Sequence, residues 1–237
     1  MKFSNTLTSN WENAFHGLRH PMESYAKSDS FFGLQVAEFM VDDWSSVVRQ
    51  DGDLVEYAKL GSNDIDLAQR MIKAGTPNDK FLRQIFVSVD ITAPLYWWKE
   101  MDTYKVATTA NSTSTMHKLA STPITLDCFE MDDFQDFSCH SFTTEEDRQF
   151  SDALNDLIKT YENLRLKYLE TKDIRYWKEL IRWLPESWLQ TRTWTANYAT
   201  LRNIIHWRKG HKLTEWKQFL DWAAALPYAN ELLLFEN

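Results

Sequence analysis

Residues 83–91 alternate with period two: Ile85, Val87, Val89 and Ile91 fall on one face, and Gln84, Phe86, Ser88 and Asp90 on the other. That pattern predicts a strand with at least one buried face. Ala93-Pro94 then opens a short aromatic helix through Leu95, Tyr96, Trp97, Trp98 and Met101, with the proline near its first turn. Helical spacing recurs elsewhere. Trp11–Leu18 forms one helix, stopped by Pro21. Asn63–Ala74 forms another: Asn63 caps it, Asp66 lies in its first turn, Ile65, Ala68, Met71 and Ile72 share a face, and Gly75 ends it. Glu145–Leu169 is the longest, with Phe150, Leu154, Leu157, Ile158, Tyr161, Leu164 and Tyr168 at the helical period. Lys172–Trp183 comes next and stops before Pro185. Trp188–Ala196 is a candidate strand, and Tyr198–Trp207 and Thr214–Leu226 are helices parted by Lys209-Gly210.

Other stretches carry no period. Phe31–Val48 is apolar-rich and unpatterned. In Thr103–Thr115, eight of thirteen residues are Ser, Thr or Asn, which favours turns and caps, with a helix starting near Ser112 and running through His117-Lys118. The segment 127–147 mixes acids with Phe129, Phe134, Phe137 and Phe142 and reads as an acidic, aromatic surface loop or insertion. No internal repeat and no Pro/Gly/Ser linker divides the chain. The expectation is a single mixed α/β domain over residues 1–237.

Composition narrows the function classes. The chain has 237 residues, 43% hydrophobic and 25% charged, enough to bury a sizeable core. Aromatics reach 14% with 11 Trp, which suits a large subunit interface or stacking surfaces for planar ligands. No run of 18 apolar residues exists, so no spanning helix is expected. The start MKFSNTLTSNWENAF has no apolar h-region, so no signal peptide is expected. With only Cys128 and Cys139, a disulfide scaffold is excluded and the reducing cytoplasm is the expected compartment.

Net charge is −8, which argues against binding a nucleic-acid polymer. Charge is uneven, however. Arg192, Arg202, Arg208, Lys209, Lys212 and Lys217 stand against Glu215 alone, a local +5 in a chain whose remainder is −13. A focused positive patch on an acidic protein suits a small anion; a solvated basic helix face explains the same pattern.

The usual dinucleotide and P-loop glycine motifs are absent, as are H-E-x-x-H and paired C-x-x-C. His16, His20 and Glu23 sketch a metal face that Pro21 interrupts, so no metal is expected. Cys139-His140 are adjacent, and sequence neighbours rarely face each other as a dyad. Cys128 reads as an inert buried thiol.

The stretch from Leu184-Pro185 through Trp194, Thr195, Asn197, Thr200, Leu201 and Asn203 to Arg208 resembles the signature of flavin-dependent thymidylate synthases (the ThyX family). In that family a Leu-Pro precedes a strand ending W-T-x-N, then a helix beginning R-S-L-x-[HN]-F-L-x-L-R. Glu215-Trp216 echoes the family's A-Q-W-E. Upstream, Thr92–Ala107 is similar to its A-P-I-F-V-x-R-Q-W-x-R-H-R-x-A-S. The two segments cover about a third of the chain.

The departures fall at binding positions. The family's R-H-R is Thr103-Tyr104-Lys105 here. Its next loop is Thr108 to Met116, keeping hydroxyls at Thr108 and Thr113, with the arginine become Thr115 and the asparagine displaced to Asn111. Its strand histidine aligns with Gln84, and its arginine before Leu-Pro shifts from Ile181 to Arg182. Replacing Arg-His-Arg by Thr-Tyr-Lys removes about one to two positive charges and their bidentate phosphate geometry.

The resemblance implies an α/β (α+β) fold with a small sheet flanked by long helices, and a homotetramer acting as a methyltransferase. The reaction it implies is reductive methylation of dUMP to dTMP, with methylenetetrahydrofolate giving the carbon and FAD, re-reduced by NADPH, the hydride. Nucleotide or cofactor contacts are expected at Gln84, Thr103, Tyr104, Lys105, Thr108, Asn111, Ser112, Thr113, Ser114, Arg182, Asn197, Asn203 and Arg208. Two rivals stay open: a flavin-free enzyme acting on another pyrimidine nucleotide, and an inactive nucleotide-binding or interaction protein.

Overall fold

A computed structural model describes residues 1–36, 54–131 and 144–236. Phe134, Phe137, Phe142, the Cys139-His140 pair and most of Phe31–Val48 lie outside the described residues. The fold is mixed α/β, as the sequence pattern and the resemblance lead one to expect. The chain forms two compact units. The first comprises Met1–Ile91, Asp102–Asn111 and Arg192–Asn237; the second comprises Thr92–Met101 and Ser112–Thr191.

The strands are β1 (Lys2–Ser9), β2 (Phe31–Val36), β3 (Leu54–Lys59), β4 (Phe86–Pro94), β5 (Thr109–Ser112) and β6 (Leu189–Asn197). A four-stranded sheet has the order β1-β4-β6-β5. β2 and β3 form a separate antiparallel ribbon, with Phe31 opposite Lys59 and Val36 opposite Leu54. β1, β2 and β3 carry no usable alternation in the sequence, and the pattern analysis places no strand there.

In the first unit the period-two pattern of β4 is realised: Val87, Val89 and Ile91 are buried while Phe86 is exposed. The core is strongly aromatic. Phe3 stacks on Trp222 at 5.3 Å, Trp194 meets Phe219 edge-on at 6.0 Å, and Trp11 meets Tyr198 edge-on at 5.3 Å. Much of the tryptophan surplus is therefore core: Trp11, Trp97, Trp98, Trp194, Trp216 and Trp222 are all buried.

Helix ends in this unit are closed by distant carboxylates. Asn10 has φ 68° and no side-chain cap, so α1 (Trp11–Arg19) is started by Glu56 of β3, which accepts the backbone N–H groups of Asn10 and Trp11 at 2.6 and 2.7 Å. α2 (Ser62–Ala74) begins one residue earlier than the sequence suggests, and Asn63 does not cap it. Asp29 does, accepting the N–H groups of Asn63 and Asp64 at 3.0 and 3.2 Å. The approach is so close that a Cβ at position 61 would lie 2.1 Å from Asp29 Cγ, hence Gly61. Gly75, at φ 69°, ends the helix as expected.

Asp64, fully buried, accepts from Arg19 Nε, Ser28 Oγ and Ser30 Oγ, each at 2.6 Å. His16 and His20 pack with Tyr25: His16 stacks on its ring at 4.6 Å, and the Tyr25 hydroxyl lies 2.6 Å from His20 Nδ1. Among the described residues no group of three His, Cys, Asp or Glu is placed to hold a metal ion.

The second unit holds α3 (Leu95–Met101), α4 (Thr115–Lys118), α5 (Glu145–Thr171) and α6 (Ile174–Arg182). α3 buries Trp97, Trp98 and Met101. A second core gathers Leu119, Ile124, Phe129, Ile158, Tyr161 and Leu180. α5 has 27 residues and starts in a capping box, Thr144 Oγ1 accepting from Asp147 N while the Asp147 carboxylate accepts from Thr144 N. Of its apolar face, Ile158 and Tyr161 are buried, whereas Phe150 and Leu157 stay 53% and 40% exposed. Arg165 is buried with its guanidinium paired to Glu162 at 2.6 Å. Cys128 is half-buried rather than buried. No described helix is long and apolar enough to cross a membrane.

The polar stretch after Tyr104 corrects the sequence reading. Thr109–Ser112 is strand β5, and the helix begins at Thr115 behind the N-cap Ser114, four residues long. Pairing at the sheet edge satisfies the backbone there, and this outweighs the local preference of Ser, Thr and Asn for turns.

Candidate functional site

β4 and β6 lead into the site of the first unit. Tyr198, the first residue of α7 (Tyr198–Arg208), donates its N–H to the Ile85 carbonyl at 3.0 Å. Its hydroxyl donates to the Pro227 carbonyl at 2.8 Å, and burial pushes its pKa upward, so the phenol acts as an anchor that keeps its proton. Asn197 caps α7: its Oδ1 accepts the Thr200 N–H at 2.9 Å, and the residue is 4% exposed.

Beside this helix start lies a cavity of about 500 Å³, within the roughly 300–1,000 Å³ span of small-ligand pockets. One wall is Thr103–Ala107, another is Asn197, Ala199, Thr200 and Asn203, and Arg83 completes it. All ten lining residues belong to the first unit.

Hydroxyls hold the Thr103–Ala107 wall in place. Thr108 Oγ1 donates to the Tyr104 carbonyl at 2.6 Å, and Thr200 Oγ1 donates to the Val106 carbonyl at 3.1 Å. Ala107 adopts φ 57°, the left-handed region that costs an L-residue energy. The lining includes two cations, Arg83 and Lys105, and no carboxylate, thiol or imidazole. Asp102, the acid nearest in sequence, pairs with Arg192 at 2.9 Å. The lining thus presents two cations, the side-chain amides of Asn197 and Asn203, and the hydroxyls of Thr103, Tyr104 and Thr200.

The sequence candidates separate into groups. Thr103, Tyr104, Lys105, Asn197 and Asn203 line the cavity together. Thr108 braces its wall. Gln84 lies next to the lining residue Arg83, exposed, with its carbonyl accepting from Asn10 Nδ2 at 2.8 Å. Arg208 is drawn away from the cavity lining. Its Nε donates to the Tyr104 hydroxyl at 2.8 Å, and its guanidinium lies 4.2 Å from the Trp216 ring centroid.

Asn111 is exposed and outside the lining. Ser112, Thr113, Ser114 and Arg182 belong to the second unit. There Thr113 N donates to the Thr191 carbonyl at 2.9 Å, and Arg182 pairs with Glu179 at 2.7 Å. A phosphate site at a helix start on Ser112 is therefore not built, since Ser112 ends a strand; the helix start at the cavity is that of α7. The basic run also disperses: Arg202 donates to the Leu232 and Leu233 carbonyls, and Lys209 pairs with Glu236 at 2.9 Å.

Sequence reasoning did not nominate Arg83, Val106, Ala107, Ala199 or Thr200 as site residues, although Thr200 stands within the resembling segment. The available signal for Arg83 was its place beside Gln84, immediately before the strand that feeds the site.

These features define a mixed α/β fold with a cavity at the start of a helix that continues from a central strand. It is the fold of the flavin-dependent thymidylate synthases. A crystal structure of the flavin-dependent thymidylate synthase ThyX from Helicobacter pylori, complexed with FAD and dUMP, superposes with a TM-score of 0.60 and 15% identity, covering 98% of this chain and 97% of that one. A second structure of the same enzyme with FAD and dUMP gives a TM-score of 0.60 and 15% identity over 97% and 96%. No family model and no curated protein matches the sequence.

Proposed function

We propose that this protein binds a pyrimidine nucleotide such as dUMP in the cavity beside α7 and, with FAD, carries out reductive methylation to dTMP. One observation carries this reading. The cavity walls, Thr103–Ala107 and Asn197–Asn203, come from the two segments that resemble the ThyX pattern, brought together from positions about a hundred residues apart. The structural likeness to enzymes crystallised with FAD and dUMP supports it.

The residues present fit a phosphate-bearing nucleotide. Arg83 and Lys105 supply charge, Asn197 and Asn203 supply neutral donors, and Tyr104 supplies a ring edge. When bound, FAD would supply the hydride, with methylenetetrahydrofolate as carbon source and NADPH as reductant. This chain's share is to bind, orient and exclude water. We propose in addition a homotetramer, to which the exposed Trp183, Phe150 and Leu157 of the second unit lend support.

A flavin-free nucleotide-binding protein is the second reading, favoured by one feature: Tyr104 and Arg208, at family binding positions, bond to each other. The absorption spectrum of the purified protein with and without FAD, and then an assay for dTMP from dUMP and methylenetetrahydrofolate, separate the two. Flavin bands that co-elute with the protein, together with dTMP, support the first. Calorimetric binding of dUMP without flavin uptake at high FAD supports the second. No binding of either molecule overturns both.

A further inference from the structure

His16 and His20 stand one turn apart at the end of α1, outside the cavity lining. Pro21 does not part them. His20 keeps helical angles, φ −54° and ψ −45°, and donates its N–H to the Gly17 carbonyl. It also opens a 3-10 turn, His20–Met22, in which the proline takes an early position that needs no N–H. The helical stagger therefore runs on through the junction. The two imidazole centroids lie 4.9 Å apart with their planes at 72°.

Tyr25 holds both rings. His16 lies nearly parallel to it, at 4.6 Å and 18°, and the Tyr25 hydroxyl lies 2.6 Å from His20 Nδ1. That contact engages Nδ1 and leaves His20 Nε2 for an outside partner. With the proton on Nδ1, His20 donates to the phenol oxygen and the Nε2 lone pair is open, which is how metal-binding histidines are oriented from behind. Neither nitrogen of His16 is hydrogen-bonded among the described residues. Both histidines and Tyr25 are exposed. The pair sits at the carbonyl end of α1, where the helix dipole favours a cation. Arg19, between the two in sequence, is buried and paired to Asp64 at 2.6 Å.

We infer that His16 and His20 form a two-imidazole site for a divalent late transition cation, with Tyr25 as a positioning residue for His20. One nitrogen of each ring binds the ion at about 2.0–2.1 Å, the metal–imidazole distance. No third His, Cys, Asp or Glu among the described residues completes a cage, so water fills the remaining positions. Two imidazoles and water select by ligand type: Cu2+ binds most tightly, Zn2+ more weakly, and Mg2+, which takes oxygen ligands, does not bind. Tyr25 lies between Ser24 and Lys27, whose carbonyls accept from buried Arg19 at 3.3 and 3.2 Å. A bound ion thus fastens the end of α1 beside the segment that makes those contacts. None of the three residues lines the cavity, so the site stands apart from the nucleotide reading.

The test is calorimetric titration of the full chain with CuCl2, ZnCl2 and MgCl2 in a non-chelating buffer, with electron paramagnetic resonance of the Cu2+ complex. The variants are His16→Ala, His20→Ala and Tyr25→Phe, with His117→Ala as control, an exposed histidine of the second unit. Each is checked for an unchanged melting temperature in EDTA. The wild type is expected to take one equivalent of Cu2+ coupled to two imidazole nitrogens. Each histidine variant lowers its affinity by roughly a hundredfold, because the gain from a second tethered ligand is lost, and cuts the coupling to one nitrogen. Tyr25→Phe lowers affinity by about tenfold and keeps the two-nitrogen coupling. His117→Ala changes neither.

Affinity unchanged in either His16→Ala or His20→Ala, an equal loss in His117→Ala, or no Cu2+ equivalent tighter than about 1 mM would overturn the site. Affinity unchanged in Tyr25→Phe would remove Tyr25 from the positioning role.

Discussion

Replacing Asp64 by alanine tests how the first unit is held together. Asp64 is fully buried and accepts three hydrogen bonds at 2.6 Å, from Arg19, Ser28 and Ser30. Arg19 is 5% exposed, and its remaining contacts are to the Ser24 and Lys27 carbonyls at 3.3 and 3.2 Å. Asp64→Ala leaves a buried guanidinium with neutral carbonyls alone and two serine hydroxyls without their acceptor. Breaking such a pair from one side costs about 3–5 kcal/mol. The stability of a domain is about 5–15 kcal/mol, so this is about a fifth of it or more. In melting temperature the loss is about 6–20 °C for a chain of this size.

Differential scanning calorimetry measures this directly. A companion variant, Arg19→Met/Asp64→Leu, removes both charges and keeps apolar volume; it is expected to recover most of the loss, because no buried charge remains uncompensated. A loss below about 1 kcal/mol for Asp64→Ala, or a double variant no better than the single, would refute the account of Asp64 as the buried counter-charge that ties α1, the Ser24–Ser30 segment and α2 together.

Glu162 is held below its ordinary pKa, first by the Arg165 hydrogen bond and further by the Ile124 N–H. A depressed folded-state pKa contributes stability above the unfolded value near 4.5, and that stability is lost as pH falls through the folded value. Glu162→Gln should therefore destabilise the second unit at neutral pH and converge on the wild type in acid; parallel urea-melt curves from pH 7 to pH 3 would contradict this. Thr144→Ala removes half of the capping box on α5 and should cost about 1 kcal/mol in urea denaturation. Ala107→Gly relieves the left-handed strain at φ 57° in the cavity wall. Set against glycine's added chain entropy, the net gain is about 0.5–1 kcal/mol, read as a small rise in melting temperature.

How much of this protein is legible from its residues alone depends on where each signal is stored. Val87, Val89 and Ile91 announce β4 because a pleated strand buries every second residue. Trp194–Arg208 announces a strand entering a helix through its resemblance to the family pattern, and the structure adds that Asn197 caps α7. Five of the cavity's ten lining residues were nominated by the resemblance alone. Other expectations failed for a common reason. Asn63 was a sensible cap, but Asp29 took the position from thirty-odd residues away. Ser112 was a sensible helix start, but an open sheet edge recruited it.

The amino-acid sequence by itself determined the long helices, strands β4 and β6, the acidic balance and the loss of the family's arginines at Thr103-Tyr104-Lys105, because periodicity and composition are local properties. Only the tertiary structure decided that Arg83 joins Lys105, that Arg208 turns to Tyr104 and Trp216, and that Glu56 and Asp29 start helices elsewhere in the chain. Those outcomes depend on which hydrogen-bond partners and ring faces come within a few ångströms once the core closes, and no spacing along the chain encodes that distance.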